Sequence, residues 1–226
     1  MAIDIHGFGL RKEWINSFSR MVENDPFFSK EDLAAKMGLG TKQVPSFLAW
    51  MKDLHFISRS GNGFVATEKF SRFFKEDPAF FQEKTWYKII LRFARPDSNI
   101  QILSWYLNSF PHGEKVPLDK LVEMFLPVVG ERYSLRTIKN GVASIRDFFV
   151  RTPLGNNLGF FVFQNRLVEK DPKLPDATLF RELCQEKWKE ENVPKENQNI
   201  ENESEPGGIV RVFGLQSRPL FLSEFL

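Results

Sequence analysis

Lys139 and Asn140 stand three and four residues after Arg136, and on a helix that spacing gathers an ammonium, a carboxamide and a guanidinium on one face. Such a trio can contact a polyanion, the charged groups reaching phosphate oxygens and the amide a base edge. Leu135, Ile138, Val142, Ile145 and Phe149 form the apolar stripe opposite. From Arg132 to Arg166 six basic residues meet one acid, Asp147, an excess of five. A second candidate set comprises Lys42, Gln43 and Ser46 on a predicted helix and Arg59 and Asn62 on a predicted hairpin. From Ser29 to Arg72 seven basic residues meet four acidic ones. Excesses of this size supply salt-sensitive phosphate contacts but no sequence code.

Catalytic chemistry is far less legible. There is no phosphate-binding glycine loop, no HExxH and no carboxylate or histidine pair at metal-ligand spacing. His6, His55 and His112 are scattered, and His112 sits in a Pro-His-Gly turn. Cys184 lies on a predicted helix rich in Glu and Lys, with nothing to activate its thiol. No metal and no cofactor are expected, and the catalytic residues of any enzyme here are unassigned.

The elements that must carry these residues follow from apolar spacing and punctuation. Leu10, Trp14, Ile15, Phe18 and Val22 predict a first helix within 9–24, closed by Asn24-Asp25-Pro26. Ser29 followed by Glu31 and Asp32 predicts the cap of a short second helix over 30–37, stopped by Gly38. A third helix ends near Leu54 and starts at Thr41 or Val44, because Pro45 is comfortable only in a first turn. Residues 55–67 read as a hairpin about Ser60-Gly61-Asn62-Gly63. Three helices with a glycine turn between the second and third, then a hairpin, match the winged form of the helix-turn-helix motif. Residues 80–93 and 100–110 read as a hydrophobic helical connector. A helix over 117–129, the helix capped by Ser134, the Gly155-Asn156-Asn157 turn and the β-rich 160–163 segment repeat the pattern. The expected fold is mainly α with small β-hairpins: two winged helix-turn-helix-like units joined by a hydrophobic helical connector. Expected boundaries are 1–76, 77–116, 117–170 and 171–226.

With 226 residues, 42% hydrophobic and 27% charged, the chain has the composition of a globular protein, and its 24 Phe against 3 Tyr make aromatic bulk mainly packing volume. The net charge of +2 hides segregation, since residues 182–205 carry eight acidic and three basic side chains. The stretch from Asn192 to Gly208, nearly free of large apolar residues, is expected to be a flexible loop; 209–213 reads as a strand and 219–226 as a short apolar end. A single cysteine excludes an intrachain disulfide, and no apolar run is long enough to span a bilayer, so a cytoplasmic protein without membrane partners is expected.

The segment Phe8-Gly9-Leu10-Arg11-Lys12-Glu13-Trp14-Ile15 resembles the F-x-x-R-x-x-W-L opening of the bacterial family catalogued as domain of unknown function 4007. Similar features are Trp50-Met51-Lys52-Asp53-Leu54, Asp77-Pro78 before Thr85-Trp86, Trp105-Tyr106-Leu107-Asn108 and the 134–145 helix, together spanning most of residues 3–165. The family's histidine three before the phenylalanine is Ile5 here, and the acidic residue of its 134–145 helix is absent around Asn140-Gly141. Members tend to be encoded with sulfur-transfer enzymes that install phosphorothioates in DNA, and one member type is described as a nicking component. The resemblance implies a role in DNA modification, phosphorothioation in particular, or antiviral defence; together with the two basic helical units it leads to the expectation of a non-catalytic DNA-binding protein. DNA, double- or single-stranded, is the implied partner, with sulfur-transfer or ATPase components of a modification complex. A DNA nickase and a protein-interaction adaptor without DNA contact are the alternatives.

Overall fold

The computed structural model describes residues 7–95, 97–183 and 212–213. Helix α1 (Lys12–Val22) buries Trp14, Ile15, Phe18 and Val22 at helical spacing, and the two-residue strand β1 (Phe27–Phe28) follows. Helix α2 (Lys30–Met37) opens on a full capping box: the Ser29 hydroxyl accepts the Asp32 backbone N–H (3.1 Å) and the Asp32 carboxylate accepts that of Ser29 (2.8 Å). The Ser29 amide, then Lys36, hold the Asp32 carboxyl down at about 2. Gly38, at φ 66°, ends the helix. Helix α3 (Gln43–Asp53) starts between the two expected positions, with Pro45 inside its first turn.

Strands β2 (Ile57–Ser60) and β3 (Gly63–Ala66) form the expected hairpin, and β1 pairs antiparallel with β3 to give the sheet order β1-β3-β2. Helix α4 (Glu68–Glu76), capped by Thr67, was not foreseen, and α5 (Glu83–Phe93) begins three residues later than expected. The later start has a local cause: Asp77 accepts the backbone N–H groups of Phe81 and Gln82, and Phe80 is left-handed at φ 52°. Helix α6 (Gln101–Ser109) leads to strand β4 (Val116–Pro117) and helix α7 (Leu118–Val129). A 3-10 turn (Gly130–Arg132) precedes α8 (Leu135–Val150), followed by β5 (Val162–Gln164) and β6 (Leu167–Glu169).

The fold is therefore mainly α with two small antiparallel sheets. The order helix, strand, helix, helix, strand, strand occurs twice, as α1-β1-α2-α3-β2-β3 and as α6-β4-α7-α8-β5-β6. Both sheets place the first strand beside the third, since the second runs β4-β6-β5. One continuous core joins the two halves. At its centre Trp50 of α3 stacks on Phe148 of α8 (4.8 Å) and meets Phe93 of α5 edge-on (5.1 Å). The Trp50 indole N–H donates to the Phe8 carbonyl (2.9 Å). Among the described phenylalanines only Phe27 and Phe81 are exposed, which bears out the reading of phenylalanine as core volume. Val212 and Phe213 are helical and buried, with Phe213 against Tyr87, Phe160 and Phe180, so the strand expected over 209–213 is corrected at these two residues. The expected acidic loop, the apolar end, His6 and Cys184 lie outside the described residues.

Candidate nucleic-acid interface

Helix α8 is positioned by its apolar side. Ile138, Gly141, Val142, Ser144, Ile145, Phe148 and Phe149 are buried, and the Ser134 hydroxyl caps the helix by accepting the Thr137 N–H (3.2 Å). Arg136, Lys139 and Asn140 are all exposed on the opposite face, as their spacing predicts, and none forms an ion pair among the described residues. They sit near the helix N-terminus, where the backbone dipole also favours an anion. Asp147 does not oppose them: one of its oxygens accepts from Arg11 Nε and Nη2 (3.3 and 3.1 Å), and the other lies 3.6 Å from Arg151. Arg11, on the residue preceding α1, is invisible as a partner in the sequence because 136 residues separate it from Asp147.

The hairpin beside this unit turns at Asn165 and Arg166, not at the Gly155-Asn156-Asn157 segment, because Gln164 pairs with Leu167 and leaves a two-residue loop. Both loop residues are left-handed, at φ 52° and 63°. Arg166 is exposed and unpaired among the described residues, so it adds a cation at a hairpin tip that sequence reasoning counted but did not single out.

The first half differs. Lys42 is exposed beside the start of α3, and Arg59 and Asn62 are exposed on the hairpin, but the Gln43 side-chain oxygen is engaged by the Gly40 N–H (3.0 Å). Ser46 is 1% exposed, so the surface contact expected of it is corrected. Helix α3 is covered on more than one side: Val44, Ser46, Phe47, Leu48, Trp50, Met51 and Asp53 are all buried, and Lys52 is its one fully exposed residue. The Lys52 ammonium lies 5.1 Å from the Phe64 ring centroid.

Two buried polar clusters organise the connector. Asp53, at the end of α3, accepts from the Ser98 hydroxyl (2.8 Å) and the Asn99 N–H (2.7 Å). Arg92 donates to the Asp53 carbonyl (2.8 Å), to Asp97 (2.9 Å) and toward His55 Nε2 (2.7 Å). Burial, then Arg92, push the His55 imidazole toward its neutral form. In the second cluster the fully buried Lys170 ammonium donates to the Leu107 carbonyl (2.8 Å) at the end of α6, and burial brings its pKa down to about 7. Every contact in both clusters ties one element to another, which is positioning rather than chemistry. No group of three His, Cys, Asp or Glu among the described residues could hold a metal ion, and no described helix is long and apolar enough to cross a membrane.

No family model and no curated protein matches the chain. Among solved structures it is similar to magnesium ion-bound SspB, with a TM-score of 0.67 and 17% identity over 94% of this chain and 73% of that one. A second SspB crystal structure gives a TM-score of 0.60 and 14% identity over 83% of this chain and 65% of that one. At these identities the likeness is one of fold.

Proposed function

We propose that this chain is a DNA-binding protein of a bacterial DNA phosphorothioate modification or defence system, belonging with the family catalogued as domain of unknown function 4007. In this reading both repeats are winged-helix units, and α8 lies against the DNA. The carrying observation is the exposed, unpaired cationic face of α8, with Arg136, Lys139 and Asn140 beside the helix N-terminus. Arg132, just before α8, and Arg166, at the hairpin tip, are further exposed cations of the same repeat. The first unit contributes Lys42, Arg59 and Asn62 at most, because α3 is covered. The fold likeness to SspB supports the same assignment, in step with the sequence resemblance.

Fluorescence anisotropy with duplex and single-stranded DNA tests the reading. Four phosphate contacts predict a loss of affinity of about a hundredfold between roughly 50 and 200 mM salt. The double substitution Arg136→Glu, Lys139→Glu should weaken binding of all sequences alike. No binding at about 50 mM salt would sink the proposal. A nicking activity is the second reading, favoured by the magnesium ion in one SspB crystal structure. It requires open circles when supercoiled plasmid is incubated with the protein and Mg²⁺ or Mn²⁺; plasmid that stays supercoiled with both metals removes it.

A further inference from the structure

His55 stands at a position that favours glycine. The end of α3 closes as a Schellman turn, in which the Phe56 N–H donates to the Met51 carbonyl (2.9 Å) and the His55 N–H to the Lys52 carbonyl (2.9 Å). Such a turn needs a left-handed residue, and His55 supplies it at φ 58°, whereas the left-handed residue that ends α2 is Gly38 at φ 66°. Two contacts offset the strain of placing a side chain there. The ring Nε2 lies 2.7 Å from Arg92 Nη2 of α5, and the His55 carbonyl accepts the hydroxyl of Thr67 (2.7 Å), the residue that caps α4. One residue thus joins α3, α4 and α5 at the root of the first hairpin.

The Arg92 contact fixes the state of the ring. A guanidinium only donates, so Nε2 is the acceptor and the proton of the neutral ring sits on Nδ1. A protonated imidazole has no acceptor to offer and would set one cation 2.7 Å from another. The groups around the ring do not relieve this. Lys69 of α4 adds a positive charge, while the carboxylates of Asp53 and Asp97 are already engaged, the first by the Ser98 hydroxyl and Asn99, the second by Arg92 and Arg95. Partial burial, then the charges of Arg92 and Lys69, disfavour the protonated ring and outweigh Asp53 and Asp97. Arg92 is 8% exposed and is held independently by the Asp53 carbonyl and Asp97, so the exposed His55 ring is the part that can turn out into water.

We propose that His55 is a pH-sensitive latch on the first repeat: its neutral ring accepts from Arg92 and keeps the corner of α3, α4 and the β2–β3 hairpin closed, and its protonated ring turns out to solvent and loosens that corner. The closed corner is complete above the ordinary imidazole pKa of 6.5 and is lost as pH falls through the lower value of the ring in the fold. The hairpin rooted there carries Arg59 and Asn62, so acidification loosens the wing of the first unit. The latch is independent of whether the protein binds DNA.

Amide hydrogen exchange of the full chain between about pH 5 and 7.5, expressed as protection relative to the intrinsic exchange rate at each pH, tests the latch. The Phe56 and Thr67 N–H groups close the corner on the Met51 and Phe56 carbonyls, and their protection should fall by up to about tenfold per pH unit below 6.5, levelling off once the ring is protonated. The Ile145 amide of α8 should not follow, which separates a local opening from global unfolding. His55→Gly keeps the left-handed turn and removes the ring, and protection at the corner should then stay constant over the same range. His55→Asn, which also tolerates that conformation, should behave alike. His6 and His112 are retained in both variants, so their titration is common to all three proteins. The ring nitrogen NMR shifts of the wild type at about pH 7.5 should show an unprotonated Nε2. Protection that does not change as the ring titrates, an equal fall in both variants, or a proton on Nε2 at about pH 7.5 overturns the latch.

Discussion

Arg166 holds a backbone conformation that glycine would hold more cheaply. Its φ of 63° puts the side chain of an L-residue against its own carbonyl, a cost of about 1–2 kcal/mol, whereas a two-residue hairpin loop with both central residues left-handed favours glycine at this second position. Arg166→Gly should therefore raise stability by about 1 kcal/mol in urea denaturation while lowering DNA affinity several-fold and reducing the salt slope by about one. Unchanged affinity would make the arginine a passive surface residue. Lys170 makes the opposite kind of trade. Its amine, near 7 in the fold against an ordinary 10.5, leaves the unfolded chain binding a proton that the folded chain lacks throughout that interval. Stability should rise with pH from about 7 toward 10.5, by up to about 1.4 kcal/mol per pH unit, and lose that dependence below 7. Lys170→Met should flatten this rise and increase stability at pH 7, read from urea midpoints at pH 7 and 9.5. A slope that persists in the variant would place its origin elsewhere.

Gly9 shows how one residue fixes an element. A methyl group added there would overlap the Phe148 backbone nitrogen and the Ser144 carbonyl of α8, neither of which can yield as a side chain does. Gly9→Ala should thus cost about 2 kcal/mol or more by chemical denaturation, with the cationic end of α8 unaffected. A neutral substitution would mean that residues 7–10 do not hold α8. This crossing was invisible in the sequence, as was the Arg11–Asp147 pair, because both join segments far apart in the chain. Elements with strong local signals were legible: α2 through Ser29 and Gly38, α8 through Ser134 and its apolar stripe, of which Ile138, Val142, Ile145 and Phe149 are buried and Leu135, in the first turn, is exposed. Strands β1 and β4 were not, since two residues carry no periodicity, and α4 was missed although Thr67 caps it and Phe70 is buried. At the interface, Arg136, Lys139 and Asn140 were found because periodicity alone exposes them. Ser46 was misplaced because α3 is buried on more than one side, which no local pattern reports.

At the scale of the whole molecule, the two repeats share an order of elements but not a surface. The third helix of the first is covered on more than one side, and the third helix of the second is exposed over its N-terminal turns, at Leu135, Arg136, Lys139 and Asn140. Trp50 and Phe148 lie where these two helices meet, so the burial that takes α3 out of contact also fastens α8 to the rest of the protein. Phe148 is fully buried and packs on Trp50, Phe93 and Phe149 at 4.8, 5.6 and 5.1 Å. Phe148→Ala removes three aromatic contacts and leaves a cavity at the junction, which should cost about 3–5 kcal/mol and lower the thermal midpoint by about 10 °C. Because one core joins the halves, the loss should be felt in both. Tryptophan fluorescence, which reports all five tryptophans, Trp105 on α6 among them, and helical circular dichroism of the whole chain should fall at one shared midpoint. Two separated transitions, with only one displaced by the substitution, would show that the repeats fold as independent units and that the covering of α3 is not what holds α8 in place.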